Sequence, residues 1–191
     1  MSAELDRARS AVVEVIEAHT DDLSADELRR LRAFLDDAFE GEFEDPDWEH
    51  TLGGLHVLVV GEGRELVGHA AVVQRRLLHR DLALRTGYVE GLAVRRDRRR
   101  LGYAGMAMAT AARVILAAYD LGALSDGTGI DGFYERRGWV RWRGPSWVLA
   151  PGGLERTEED DGGILVLPTP TSPQLDATGS LVCDWRPGDV W

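Results

Sequence analysis

The sequence predicts an α+β fold, and three observations predict it. Residues 55–60, 66–74 and 83–94 are successive apolar runs, and Gly61-Glu-Gly63 between the first two is a glycine-bearing hairpin signal, so this region reads as an antiparallel meander. The stretch 87–105 then leads from the last strand into a turn crowded by Arg95, Arg96, Arg98, Arg99 and Arg100 and broken by Gly102. Residues 105–121 are dense in alanine and methionine and apolar around most of a helical circumference, as in a helix packed deep against a sheet. Backbone amides at a helix N-terminus lack intrahelical acceptors and carry partial positive charge, so a turn of this kind can hold a phosphate-bearing ligand.

The remaining elements follow in chain order. Residues 11–17, short and β-branched, read as a first strand. Ser24 with Glu27 three residues later makes a capping box, and Leu28, Leu31, Leu35 and Ala38 recur at helical spacing, which gives a helix over 25–39. Residues 40–49 are acidic and aromatic without clean periodicity. They form a surface loop or short helix, and serve either as a solvated charge run or as a grip on a polycation. The second meander strand extends through Leu77 and Leu78. Gly122 is placed as the C-cap of the long helix, followed by a short strand at 123–125, a short helix at 131–137 stopped by Gly138, and a strand at 139–142. Beyond Pro145 the character changes: 147–150 and 164–167 read as strands flanking an acidic loop at 155–161, and prolines 168, 170 and 173 lead to a final apolar segment at 181–185. With no internal repeat or low-complexity linker, the chain reads as one domain, 1–191, with an elaborated C-terminal segment from about 145 to 191.

Composition excludes several classes. The hydrophobic content of 44% is that of a globular protein. No apolar run approaches the roughly 18 residues that span a bilayer, and the acidic N-terminal region lacks the pattern of a signal peptide, so a cytoplasmic protein with no membrane partner is expected. Cys183 is the one cysteine and reads as structural. His19, His50, His56, His69 and His79 show no paired ligand spacing, so no metal is expected and each reads as structural or surface. A net charge of −11 argues against nucleic acid and for a cationic small partner. The arginine cluster is the local exception and asks for an anion.

Two motifs stand in this order: Arg99-x-x-Gly102-x-Ala104 at the turn and Phe133-Tyr-Glu-Arg-Arg-Gly138-Trp near the end. With the strand, turn and helix around them they resemble the GNAT acetyltransferase superfamily, whose fold is a central mixed, mostly antiparallel sheet flanked by helices. A longer set of segments, Asp47-Trp-Glu-His-Thr-Leu-Gly-Gly54, His69-Ala-Ala-Val-Val-Gln-Arg-Arg76, Gly87-Tyr-Val-Glu-Gly91, Tyr119-Asp-Leu-Gly-Ala-Leu-Ser125, Arg143-Gly-Pro145 and Cys183-Asp-Trp-Arg-Pro-Gly-Asp-Val-Trp191, is similar to the aminoglycoside 2'-N-acetyltransferases of mycobacteria and relatives. The sequence departs at Glu42, where aspartate is expected, and in the Gly- and Asp-rich loop 126–131.

Acetyl transfer to an amine needs a cofactor site, a base, a stabilised oxyanion and a proton for the leaving thiolate. The amides of Arg100, Leu101, Gly102, Tyr103, Ala104 and Gly105 are expected to cradle the pyrophosphate of acetyl-CoA, with Arg99 and Arg100 adding charge. Leu92, Ala93 and Val94 would pair with the pantetheine arm, and the resemblance implies that the Leu92 N–H meets the thioester carbonyl. Tyr134 is the candidate acid; by spacing alone it also reads as a core aromatic. Glu90, a charge among apolar strand neighbours, is the candidate base acting through a water, the other reading being a paired structural carboxylate. Trp191 is the last residue in the sequence, and its α-carboxylate, with a pKa of about 3.3 to 3.7, is expected against the substrate amine unless that end is frayed and idle. A polycationic aminoglycoside calls for a carboxylate-rich pocket. The resemblance points to Glu42, Asp47, Glu90, Gly91, Ser125, Asp160 and Trp191, with Asp161 second to Asp160 because the register of that acidic run is open. It also implies a homodimer. Acetylation of a metabolic amino sugar or polyamine, and CoA or drug binding without turnover, remain the alternative functions.

Overall fold

Residues 13–127, 129–130 and 132–191 are described by a computed structural model, in which ten strands join in one mixed sheet. In chain order these are β1 (Glu14–His19), β2 (Leu55–Val60), β3 (Leu66–His79), β4 (Leu82–Val94), β5 (Leu121–Ser125), β6 (Val140–Arg141), β7 (Ser146–Ala150), β8 (Gly153–Arg156), β9 (Ile164–Pro168) and β10 (Leu181–Asp184). The path runs β6-β9-β5-β4-β3-β10-β7-β8, with β2 and then β1 attached to β3. β3 is long enough to carry β2 along its first half and β10 along its second, both on the edge away from β4. The β4–β5 and β10–β7 pairs are parallel and the others antiparallel. The expected meander is therefore present as β2-β3-β4, 147–150 and 164–167 are strand regions as expected, and the final apolar segment supplies a further strand, β10, at Leu181–Asp184.

Three helices flank the sheet: α1 (Ala25–Ala38), α2 (Asp45–Thr51) and α3 (Tyr103–Ala118). α1 starts at the predicted capping box, where Ser24 Oγ accepts from the Glu27 N–H and Glu27 Oε2 accepts from the Ser24 N–H at 2.9 Å. Residues 40–49 resolve into a turn and the short helix α2. α3 buries Ala107, Met108, Ala111 and Ile115 against Val57, Val72, Val89 and Leu124 of the sheet, while α1 packs Leu31 and Leu35 with Phe43 and Ala93 in a separate cluster.

Several boundaries move, each for a physical reason. The first strand lies at 14–19 and not at 11–17; Ala11 and Val12 lie outside the described residues. Gly122 is no helix cap: α3 ends with Tyr119 as its C-cap in extended conformation, and Gly122 lies inside β5. A Cβ there would meet Ile115 Cγ2 and Leu167 Cβ at 2.9 Å, so the glycine serves close helix–sheet approach. The predicted short helix at 131–137 contracts to a 3-10 turn at Glu135–Arg137; Asp131 lies outside the described residues, and Gly138 at φ 88° ends the turn as expected. The strand at 139–142 shortens to β6: the Trp139 N–H donates back to the Tyr134 carbonyl at 3.3 Å as part of the preceding turn, while Trp139 and Trp142 are both buried.

Candidate active site

β4 builds the site by leaving its neighbour. It pairs with β5 over Thr86–Tyr88 only, among the described residues, while its other edge stays bonded to β3 out to Val94. From Val89 onward one edge of β4 is thus open, and unpaired strand amides and carbonyls there are available to an extended ligand. The open edge is also bulged. Ala71 faces Glu90 and His69 faces Ala93, so Gly91 and Leu92 together oppose Ala70, and Gly91 takes φ +55°. The bulge is held from behind: the Gly91 carbonyl accepts from His69 Nδ1 at 2.8 Å, His69 Nε2 lies 3.0 Å from His56 Nδ1, and His56 Nε2 lies 3.0 Å from Thr20 Oγ1. Since a carbonyl only accepts, His69 must donate from Nδ1, and the whole chain of tautomers follows from that.

Two concavities meet along this edge. The larger, about 660 Å³, is lined by Leu92, Ala93 and Val94, by Arg99, Arg100, Gly102, Tyr103, Ala104 and Gly105 at the start of α3, and by Ala38, Phe39, Ile130, Phe133 and Arg137. Gly102 takes φ +90° and Arg100 φ +67°, conformations that turn successive amides outward, and nothing stands within 4 Å of where a Gly102 Cβ would be. All the residues expected to hold the cofactor line this cleft except Leu101, which is more than half exposed at its rim. The cluster of five arginines divides. Arg95 and Arg98 pair with Glu65 beneath the turn, Arg99 donates to the Ala38 carbonyl at 2.7 Å, and only Arg99 and Arg100 line the cleft. Arg137 is an addition that sequence reasoning missed. It stacks over Phe133 with Cζ 4.0 Å from the ring centre, and an added Cβ at Gly105 would stand 2.8 Å from its Nη2.

The second concavity, about 340 Å³, is lined by Glu42, Asp47, Glu90, Gly91, Ser125, Tyr134 and Trp191, together with Phe39, Phe43, Tyr88 and Asp189. Residues from five separate segments therefore converge as the sequence suggested. Tyr134 is at once a pocket wall and a core aromatic, edge-on to Phe133 and Trp139. Trp191 is buried and docked: its indole Nε1 donates to Thr157 Oγ1 at 2.9 Å, and its main-chain oxygen accepts from Arg186 Nη2 at 2.9 Å. Burial lifts the Glu90 carboxyl to about 7, against the pull of Arg186, which donates to its Oε1, and of Arg75.

The acidic run 158–161 is where the reading needs correction. Asp161 does not line the pocket. Its Oδ1 accepts from Ser146 N and Oγ at 2.8 Å and its Oδ2 pairs with Arg156 at 2.7 Å, so the Arg156 guanidinium holds its carboxyl well below the usual range and it serves as a loop anchor. Asp160 also stands outside the lining, but burial and the nearby Asp189 charge lift it to about 6, which ties it electrically to the pocket. Asp189, in the tail, takes the place in the wall expected of that run. Its signal in the sequence was only an acid two residues before Trp191.

A bulged strand opening beside a helix N-terminus, with a carboxylate-lined pocket across it, suits an enzyme that brings an anionic cofactor against a cationic substrate. Residues 17–139 match the model of the Acetyltransferase (GNAT) family, and the chain belongs to that family. It is 51% identical over 175 residues to an aminoglycoside 2'-N-acetyltransferase of Mycolicibacterium fortuitum, covering 91% of this chain and 89% of that protein. Among solved structures the fold is shared by the GNAT N-acetyltransferase YhbS of Escherichia coli in complex with CoA, at 17% identity and a TM-score of 0.59 over 91% of this chain and 89% of that one. A GNAT acetyltransferase of Brucella melitensis in complex with acetyl-CoA shares it at 13% identity and a TM-score of 0.58, over 90% of this chain and 95% of that one.

Proposed function

We propose that this chain transfers the acetyl group of acetyl-CoA to the 2'-amine of an aminoglycoside, by direct transfer with both substrates bound. The observation that carries the reading is the junction itself: a cationic cleft and an anionic pocket share Phe39, Leu92 and Gly127 in their walls, and Glu90, in the pocket wall, stands two residues before Leu92 on one open strand edge. The likeness to the mycolicibacterial enzyme supports the substrate class.

The residues present fit acetyl-CoA. Amides of Arg100 to Gly105 would take the pyrophosphate, with charge from Arg99, Arg100 and Arg137. Leu92 to Val94 would bond the pantetheine amides as an added strand does. Bound acetyl-CoA supplies an acetyl thioester, already activated for acyl transfer. Glu90 would take one proton of the incoming ammonium through a water, leaving a neutral amine; as that nitrogen bonds the acetyl carbon and the carbon–sulfur bond breaks, the Leu92 N–H would donate to the carbonyl oxygen and Tyr134 would give its hydroxyl proton to the departing sulfur, while the second proton shed by the nitrogen would pass through water to restore the Tyr134 hydroxyl. Glu42, Asp47, Ser125, Asp189 and the Trp191 main-chain oxygen receive the ammonium and hydroxyl groups of the sugar rings. A second copy of the chain is the partner we assign to the outer edge, where the cross-strand pair Leu149 and Leu154 is half-exposed.

Thiol release from acetyl-CoA on mixing with kanamycin, tobramycin and a polyamine panel tests this reading. Release with the two aminoglycosides, and a product whose acetyl group is at the 2'-nitrogen by NMR, is expected. Release with polyamines alone would move the substrate class, and CoA binding without release would make this a binding domain.

A further inference from the structure

The C-terminal tail is fastened to the site by an arrangement that the acetyl-transfer steps do not use. Arg186 is buried, with 13% of its side chain exposed, and spends each of its nitrogens: Nε donates to the Asp189 carbonyl at 2.8 Å, Nη2 to the Trp191 main-chain oxygen at 2.9 Å, and Nη1 to Glu90 Oε1. Its Cζ lies 5.5 Å from the centre of the Tyr88 ring, and Arg75 of β3 covers the same ring at 4.8 Å. Arg75 in turn binds Asp184, through Nε to Oδ1 at 2.9 Å and Nη2 to the main-chain oxygen at 2.7 Å. Tyr88 is thus associated with two guanidinium groups, each of which grips one end of the segment 184–191.

We propose that Arg186 is the positioning residue of this site: one guanidinium fixes the rotamer of the Glu90 carboxylate, favours its ionised form and sets its place relative to Asp189 and Trp191. The proposal rests on Glu90 acting as the base. Glu90 is otherwise surrounded by burial, which disfavours its charge, and by Asp189, which repels it; Arg75 is the second cation acting on it, and the Tyr88 hydroxyl is kept neutral by its own burial. Arg186 is therefore the contact cation that a buried carboxylate needs. His50 of α2 has its Nε2 2.8 Å from the Pro187 carbonyl oxygen, and burial first and the Arg186 charge second disfavour its charged form. A guanidinium is required in preference to an ammonium, because three acceptors in three directions need a planar fork.

The test compares wild type, Arg186→Gln, Arg186→Lys and Glu90→Gln by the pH profile of kcat/KM for kanamycin, by KM for acetyl-CoA, and by the 13C shift of the Glu90 carboxyl, which titrates whether or not substrate turns over. In Arg186→Gln the Glu90 titration and the acidic limb are expected to rise by at least one pH unit, with activity at neutral pH falling tenfold or more, recovering towards pH 9, and with KM for acetyl-CoA unchanged. Arg186→Lys keeps the charge, so its limb should stay while kcat falls at every pH. An unmoved Glu90 titration in Arg186→Gln, or a loss equal at all pH values, overturns the proposal. Should the glutamine variant fail to fold, wild-type kcat and limb in Arg186→Lys overturn it instead. An acidic limb that persists in Glu90→Gln sinks the reading of Glu90 as base and leaves the carboxyl titration to judge Arg186 by itself.

Discussion

Acidification should destabilise this protein through its buried histidine pair, and the size of the effect can be worked from the structure. His56 and His69 are fully buried, and burial pushes them down from 6.5 to about 4 and about 3. The hydrogen-bond chain explains why a proton is unwelcome: with His69 donating to Gly91 and His56 donating to His69, a proton added to either remaining nitrogen displaces an accepted bond. A histidine whose folded pKa is depressed binds fewer protons in the native state, so its contribution is present above the unfolded value near 6.5 and is lost as pH falls towards 4 and 3. Near pH 5 the unfolded chain holds about two more protons at these sites than the folded one, a slope of about 2.7 kcal/mol per pH unit. From pH 7 to pH 5 the pair thus costs about 3 to 4 kcal/mol, a large part of a typical 5 to 15 kcal/mol. Glu90 and Asp160, lifted to about 7 and about 6, act with the opposite sign over the same range, so the bare slope of the wild type is not the readout. Urea titrations at pH 7, 6 and 5 should instead show each of His56→Gln and His69→Gln reducing the loss between pH 7 and pH 5 by about 2 kcal/mol. Equal pH dependence in wild type and both variants would refute the reasoning.

Three further outcomes are expected. Tyr134→Phe should lower turnover by about ten- to a thousand-fold while KM for acetyl-CoA holds, measured by thiol release; near-wild-type turnover would remove Tyr134 from the mechanism. Arg100→Glu should raise KM for acetyl-CoA about tenfold or more, less so at high salt, because it reverses a charge at the mouth of the cationic cleft. Gly87→Ala should cost about 1 to 3 kcal/mol in urea titration, since the added Cβ would lie 2.8 Å from Ile115 Cγ1 and Tyr119 Cδ2 where α3 crosses β4; a neutral result would show that the helix shifts freely.

Much of the site was legible because it lies in local strings. The arginine turn with Gly102, the strand end with Glu90 and the Tyr134 motif each carry strand, turn and helix chemistry within a few residues, and the structure brings all three to one edge. What could not be read depended on which partner claims each side chain, near or far along the chain. Asp160 and Asp161 are adjacent acids in sequence, yet Arg156 and Ser146 claim the second and burial perturbs the first. Arg95 and Arg98 carry the same charge as Arg100 and are taken up by Glu65, more than 25 positions away. Gly122 carries a strong helix-stop signal and answers to Leu167 instead, a contact across strands that no local pattern encodes. The role of Gly91 was visible only as a family position, because a glycine in a strand does not say which histidine will hold its carbonyl.

The place of β10 has a consequence for how the molecule is made. This strand is the last of the ten in sequence order but interior in the sheet, seated between β3 and β7, more than 100 residues after the former and about 35 after the start of the latter. During synthesis, β3 and β7 are complete while the seam between them is still open, and the non-local pairing that closes it carries the entropy cost of a long loop. The acidic pocket gains Asp189 and Trp191 from the residues directly after β10. The cofactor cleft, whose lining ends at Arg137, draws on sequence available much earlier. A nascent chain halted before residue 181 would thus carry the parts that grip CoA without the tail that completes the substrate pocket, and would expose two unpaired strand edges that mark it for removal.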